Sequence, residues 1–260
     1  GALATPKKGR SLAKLFSRAT IDIPPVVVIG LGRFGTALAT ELMANGVEVL
    51  GVDSSEKIVR ERAPYLTEAL AVLGPNFVGV TQLPADVSSK SISELDRAGV
   101  RAVRFNLKRG GSAGVDDLEL LANRVFDVAG WHTELYVDAR ELPDLERVLT
   151  RLPRVSIDHL GMHEDGLKAL LRLVEHGAMV KATGFGRVEL DPASAMRAIL
   201  RTNPGALMVG TDLPSTRARR PFAVADLALA EEVALELGGE QLADDVFWNN
   251  AAGLYRLAAQ

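Results

Sequence analysis

Eight short runs rich in β-branched and other apolar residues alternate along this chain with longer segments in which apolar positions recur three and four apart. The β-type runs are Val26–Gly30, Val47–Asp53, Phe77–Leu83, Ala102–Leu107, Thr133–Asp138, Val155–Leu160, Met179–Phe185 and Leu207–Asp212. Between and after them the 3.6-residue period predicts helices at Thr36–Asn45, Glu56–Leu73, Ser91–Ala98, Asp116–Ala129, Leu142–Arg151, Glu164–His176, Pro192–Thr202 and Ala223–Leu237. In the sixth of these, Leu167, Leu170, Leu171 and Val174 lie along one face, which can cover a sheet. Gly46, Gly99, Gly130, Gly177 and Gly205 each precede a strand, where a helix must stop and the chain must turn inward. Strict alternation of strand and helix predicts parallel β/α units, and eight of them predict an α/β protein built as a single (βα)8, TIM-like barrel. A small open sheet followed by a truncated barrel is the competing architecture. It leaves exposed strand edges that the opening unit would otherwise close.

Composition agrees with one large soluble domain. The chain has 260 residues, 47% of them apolar and 24% charged, with a formal charge of −3. That balance argues against disorder and against a general affinity for nucleic acid. The absence of cysteine excludes disulfides and thiolate metal sites and fits a reducing, cytoplasmic location. No apolar run approaches the roughly 18 residues that span a bilayer, so no membrane is expected as a partner. The first twenty residues hold Lys7, Lys8, Arg10, Lys14 and Arg18 and no acid. They lack the apolar core of a secretory signal, open on Gly1 as a processed or cloned start would, and read as a solvated basic extension over residues 1–22. The barrel is expected to occupy 23–260.

The first strand runs into a glycine pattern. Gly30, Gly32 and Gly35 follow Val26–Ile29 in the order G-x-G-x-x-G, a helical pattern comes next, and Asp53 ends the second strand about twenty residues on. Such glycines permit a tight turn, close backbone approach to a pyrophosphate and close helix–strand packing, while helix amides bind phosphate and the acid bonds ribose hydroxyls. This Rossmann-like β-α-β unit predicts weak binding of NAD(H), ATP or phosphate. Over residues 23–59 the stretches VIGLGRFG and EVLGVD resemble the TrkA-N or RCK nucleotide-binding domains that regulate potassium transport. The later strands that complete an adenine pocket in that family have no counterpart after Val59.

From about residue 66 to 258 the chain resembles a different family. The stretches EALAVLGPNFVGV, AGVRAVRFNL, WHTELYVD, LPRVSIDHLG, MVKATGF, LMVGTDLPS and NNAAGLYRL follow the order of the amidohydrolase-related hydrolases that include 2-pyrone-4,6-dicarboxylate lactonase. Catalytic groups in such barrels sit at the C-terminal ends of strands. The resemblance implies that Asp212, ending strand eight, is a general base that activates water, and that His159, ending strand six, orients or polarises a substrate carbonyl. It implies that Arg104, Lys108, Arg109, Arg187 and Arg217 bind substrate carboxylates, with a hydroxyl from Tyr136. The expected ligand is a small anion or phosphate at the barrel mouth.

One departure weighs against activity. This superfamily normally carries an H-x-H pair on strand one, where this chain reads Ile29-Gly30-Leu31-Gly32, and no H-x-H occurs anywhere in it. His132 begins strand five, at the opposite end of the barrel, and His163 and His176 belong to a loop and a helix. With only His159 and Asp212 converging, no metal site and no required cofactor are expected. The sequence therefore reads first as a chimeric, engineered or recombined barrel without efficient catalysis. A metal-independent hydrolase of a carboxylated lactone and a nucleotide- or phosphate-binding module are the alternatives.

Overall fold

A computed structural model describes residues 66–75, 77–108, 114–213, 215 and 218–257, together with the strands Val26–Ile29 and Val49–Val52. Gly30, Gly32, Gly35, Asp53, Arg109 and Arg217, the helix expected at Thr36–Asn45 and the first part of Glu56–Leu73 lie outside the described residues.

Eight strands form one sheet in sequence order, and every described pairing between neighbours is parallel. They are β1 (Val26–Ile29), β2 (Val49–Val52), β3 (Gly79–Thr81), β4 (Val100–Asn106), β5 (His132–Tyr136), β6 (Val155–Ile157), β7 (Met179–Ala182) and β8 (Leu207–Val209). The first two pair in register, Val26 with Val49 through Ile29 with Val52, and β2 pairs with β3, so the two opening strands are continuous with the rest of the sheet.

Helices cover the outside: a helical segment at 66–73, then α1 (Ser89–Arg97), α2 (Val115–Ala129), α3 (Leu142–Leu149), α4 (Leu167–Glu175), α5 (Pro192–Thr202) and α6 (Val224–Asp244). Each has a local reason to start, stop and face inward. The Ser88 hydroxyl accepts from the Ser91 amide at the start of α1, and the Asp191 carboxylate accepts from the Ser194 amide at the start of α5, where Pro192 occupies the first turn. In α2, Leu118, Leu121, Ala122 and Val125 are buried at helical spacing, and Gly130 ends the helix with φ +67°. The segment beyond Leu237 departs from expectation. Gly239 breaks helical geometry with φ +68°, but the chain resumes as helix to Asp244, passes through a π-helical turn at Asp245–Asn249 and ends in α7 (Asn250–Tyr255).

Two apolar layers result from the period-2 alternation of the strands. Phe77, Leu83, Val103, Phe105, Leu135, Ile157, Val180 and Leu207 face outward and join the helices in one large cluster. Val78, Val80, Ala102 and Met208 face inward and pack with Leu254 and Tyr255 of α7 in a second, smaller cluster. Most other described inward positions are polar, and that is where the chemistry lies.

Candidate active site

Inward residues of β4, β5 and β7, with Asp158 just after β6, bring four charges into the barrel axis. Arg104 places Nη2 2.5 Å from Asp158 Oδ2 and Nη1 3.4 Å from Glu134 Oε2. Lys181 places Nζ 2.6 Å from Glu134 Oε1 and 3.4 Å from Asp158 Oδ1. Tyr255 donates its hydroxyl to Glu134 Oε1, and His132 lies edge-on to the Tyr255 ring with centroids 4.7 Å apart. Two cations and two carboxylates balance in a space almost closed to water.

Burial opposes ionisation of Glu134 most strongly, yet Lys181, His132 and Arg104 together hold its carboxyl well below the usual range. Burial likewise opposes ionisation of Asp158, but Arg104 and Lys181 keep it low. Lys181 shows the mirror image: burial favours the neutral amine, and Glu134, Tyr255 and Asp158 outweigh it to raise its pKa. Burial lowers the pKa of His132, so it is neutral near pH 7.

Above this layer stand His159, Tyr136, Thr183, Arg187 and Asp212. His159 and Asp212 do not end their strands. β6 stops at Ile157 and β8 at Val209, and both residues lie beyond, in left-handed backbone with φ +51° and +55°. Few non-glycine residues adopt this conformation, and Leu160, Met162 and Ser215 share it, so the strain is concentrated in the two loops that carry the site. Burial lowers the pKa of His159, against the pull of Asp158 and Asp212, and its Nδ1 lies 2.8 Å from Thr183 Oγ1. The Tyr136 ring meets the His159 ring edge-on at 5.5 Å, and the Arg104 guanidinium lies 5.7 Å from the Tyr136 centroid. Arg187 donates from Nε to Asp212 Oδ2. Gly184, with φ +60°, lets the loop after β7 close on the pair: a Cβ there would sit 2.7 Å from His159 Nδ1 and 3.0 Å from Asp212 Oδ2.

Five of the expected residues, Arg104, Tyr136, His159, Arg187 and Asp212, thus converge at the C-terminal ends of the strands. Lys108 is turned away from them, with Nζ 2.6 Å from Asp138, which Arg140 also grips. Glu134, Asp158 and Lys181 were missed by the sequence reading. The signal was present: a charged residue inside a parallel strand covered by helices has only the barrel axis to face.

A metal ion would need three or four convergent N or O donors. Among the described residues no three His, Asp or Glu side chains are so grouped, and the Asp212 carboxylate is already neutralised by a guanidinium. The described residues do not assemble such a set.

The fold and its mouth define an amidohydrolase-like scaffold on an eight-stranded parallel barrel. Comparison narrows the class: the family profile described as Amidohydrolase matches residues 33–257, and the chain belongs to that family. A 2-pyrone-4,6-dicarboxylate hydrolase of Comamonas testosteroni is 33% identical over 99 residues, covering 37% of this chain and 32% of that protein. The Ktr system potassium uptake protein A of Vibrio alginolyticus is 41% identical over 59 residues, covering 23% of this chain and 27% of that protein. The chain thus spans about a third or less of the curated relatives it matches. Among solved structures, a Pseudomonas putida protein named for 2-pyrone-4,6-dicarboxylic acid hydrolysis superposes with TM-score 0.71 at 24% identity, over 86% of this chain and 88% of its own. No helix among the described residues is long and apolar enough to cross a membrane.

Proposed function

We propose that the chain is a metal-independent hydrolase of a small carboxylated ester or lactone, with Asp212 as general base. The observation that carries this reading is the convergence of His159 and Asp212 in strained backbone on either side of Gly184. Strain of this kind persists where geometry is held for a purpose. Arg187 holds one oxygen of Asp212 and leaves the other to accept a proton from water as the water attacks the carbonyl carbon. Arg187 also orients the carboxylate. If the Thr183 hydroxyl donates to Nδ1, neutral His159 carries its proton on Nε2 and can donate to the carbonyl oxygen as negative charge develops there. Arg104 presents positive charge below the same space, which suits a carboxylated substrate. The dicarboxylate named for the Comamonas and Pseudomonas relatives agrees with that preference. No cofactor enters this scheme.

The test is hydrolysis of 2-pyrone-4,6-dicarboxylate by the full chain and by Asp212→Asn. Turnover that falls by roughly 10²–10⁴ in the variant supports the reading. Wild-type rates equal to background leave a barrel scaffold without efficient catalysis.

A second reading rests on the 59-residue match to the potassium uptake protein. It supports a hybrid chain whose opening β-α-β unit came from a nucleotide-binding protein, and predicts weak NAD(H), ATP or phosphate binding at Gly30, Gly32, Gly35 and Asp53. Ligand that binds the folded state raises the thermal midpoint by mass action. A rise with NADH, ATP or inorganic phosphate that Gly32→Val abolishes supports this reading, and no rise removes it.

A further inference from the structure

Two adjacent inward side chains hold polar atoms that nothing among the described residues satisfies. Gln82 is 1% exposed, and both Oε1 and Nε2 of its carboxamide are buried without a hydrogen-bond partner. The Arg104 Nε is buried and unpartnered as well. Alternation sets the direction of Gln82. Phe77 and Leu83 belong to the outer cluster, whereas Val78 and Val80 belong to the inner one, so Gln82 follows them into the barrel. The β3–β4 register pairs Val80 with Ala102 and Thr81 with Val103, and its next step sets Gln82 beside Arg104.

An unpaired buried polar group costs about 1–3 kcal/mol, and native proteins rarely leave three together. The ionic centre cannot supply the missing partners. Glu134 and Asp158 face Nη1 and Nη2 of Arg104, so these ion pairs leave its Nε without a partner. What remains is a fixed pattern: donors at Arg104 Nε and Gln82 Nε2, and an acceptor at Gln82 Oε1. The Tyr136 ring meets His159 at 5.5 Å and the Arg104 guanidinium at 5.7 Å, so this pattern adjoins the proposed reaction site. Ser156, His132 and Asp158 also hold buried atoms without hydrogen-bond partners, but Asp158 is ion-paired with Arg104 and Lys181, His132 lies 3.4 Å from Glu134 at the start of its strand, and neither Ser156 nor His132 adjoins this pair by register.

We infer that Gln82, with Arg104 Nε, forms a specificity subsite that reads a hydroxyl set next to a carboxylate on the substrate. Carboxylate oxygen accepts from Arg104 Nε and Gln82 Nε2, and the hydroxyl donates to Gln82 Oε1. Gln82 acts in binding and takes no part in bond making. The inference rests on the reading of the mouth as a site for a carboxylated substrate.

Malate and succinate differ by one such hydroxyl, and titrating each into the full chain tests the idea. Sites built to bond a hydroxyl discriminate strongly against analogues that lack it. Malate is expected to bind about tenfold or more tightly than succinate. In Gln82→Met, which keeps size but removes both polar atoms, the two affinities should become equal, with malate losing more than succinate and the melting midpoint no lower. Equal binding in the wild type, or a malate preference that survives in Gln82→Met, overturns the inference and leaves ordinary buried water as the occupant. If neither acid binds at millimolar concentration, the carboxylate reading of the mouth falls together with it.

Discussion

Tyr255 donates its hydroxyl to Oε1 of Glu134, bonding α7 to the middle of the fifth strand across 121 positions of sequence. The phenol closes the inner end of the charged layer. Its own pKa is raised, by burial first and then by the Glu134 charge, so it stays protonated and able to donate. Tyr255→Phe keeps the ring against His132 and removes only the donor. A hydrogen bond to a buried charge is worth about 1.5–3 kcal/mol, and urea denaturation should show a loss of that size.

Lys181 shares its ammonium between Glu134 and Asp158, and removing it strands a carboxylate in the barrel. Lys181→Met should cost about 3–5 kcal/mol by denaturant titration. Glu134→Gln in the same chain restores charge balance, since Arg104 and Asp158 still pair. Most of the loss should return in the double variant, and a loss that simply adds would show that the two side chains act independently.

The pH dependence follows from the directions of the shifts. Glu134 and Asp158 have depressed folded-state pKa values, so their contribution is present above the unfolded value near 4 and is lost as pH falls below it. His132 and His159 are also depressed, so the unfolded chain takes up protons the folded one refuses as pH falls below about 6.5. Lys181 is raised, so its contribution holds below about 10.4 and fades above that. Urea midpoints measured across pH should be flat between these limits, fall gently below about 6.5 and fall steeply below about 4.

Gly184 and Gly253 provide a matched contrast. At Gly253 on α7 a Cβ meets nothing within 4 Å, and Gly253→Ala should stabilise the helix by about 0.5–1 kcal/mol. At Gly184 the φ of +60° and the contacts with His159 and Asp212 make alanine strained and obstructive. Gly184→Ala should lower both the thermal midpoint and any hydrolytic rate, and an unchanged rate would show that the loop does not set the His159–Asp212 geometry.

Much of this was legible in the sequence, and the failures have physical causes. Leu118, Leu121 and Val125 announced α2 by spacing alone, and Pro192–Thr202 was bounded correctly because an aspartate cap and a proline open it. Strand ends were overrun at His159 and Asp212 because β-rich composition continues past the point where φ turns positive, and composition carries no record of φ. The last helix was expected to end at Leu237, and the chain does break at Gly239 with φ +68°, but helix resumes beyond it to Asp244, which the glycines did not announce. His159 and Asp212 were found through family resemblance. Glu134, Asp158 and Lys181 were overlooked because each looks like an ordinary charge until the strand around it is known to be covered on both faces.

The position of Tyr255 has a consequence for how the molecule is made. During synthesis all eight strands emerge before the helix that bears it, and Glu134 waits in the nascent sheet without its phenol donor. Late-arriving α7 acts as a latch on the strands made before it. Nascent chains that stop short of α7 should therefore hold a wetter, looser centre than chains that include it, and proteases should find them open until that helix docks.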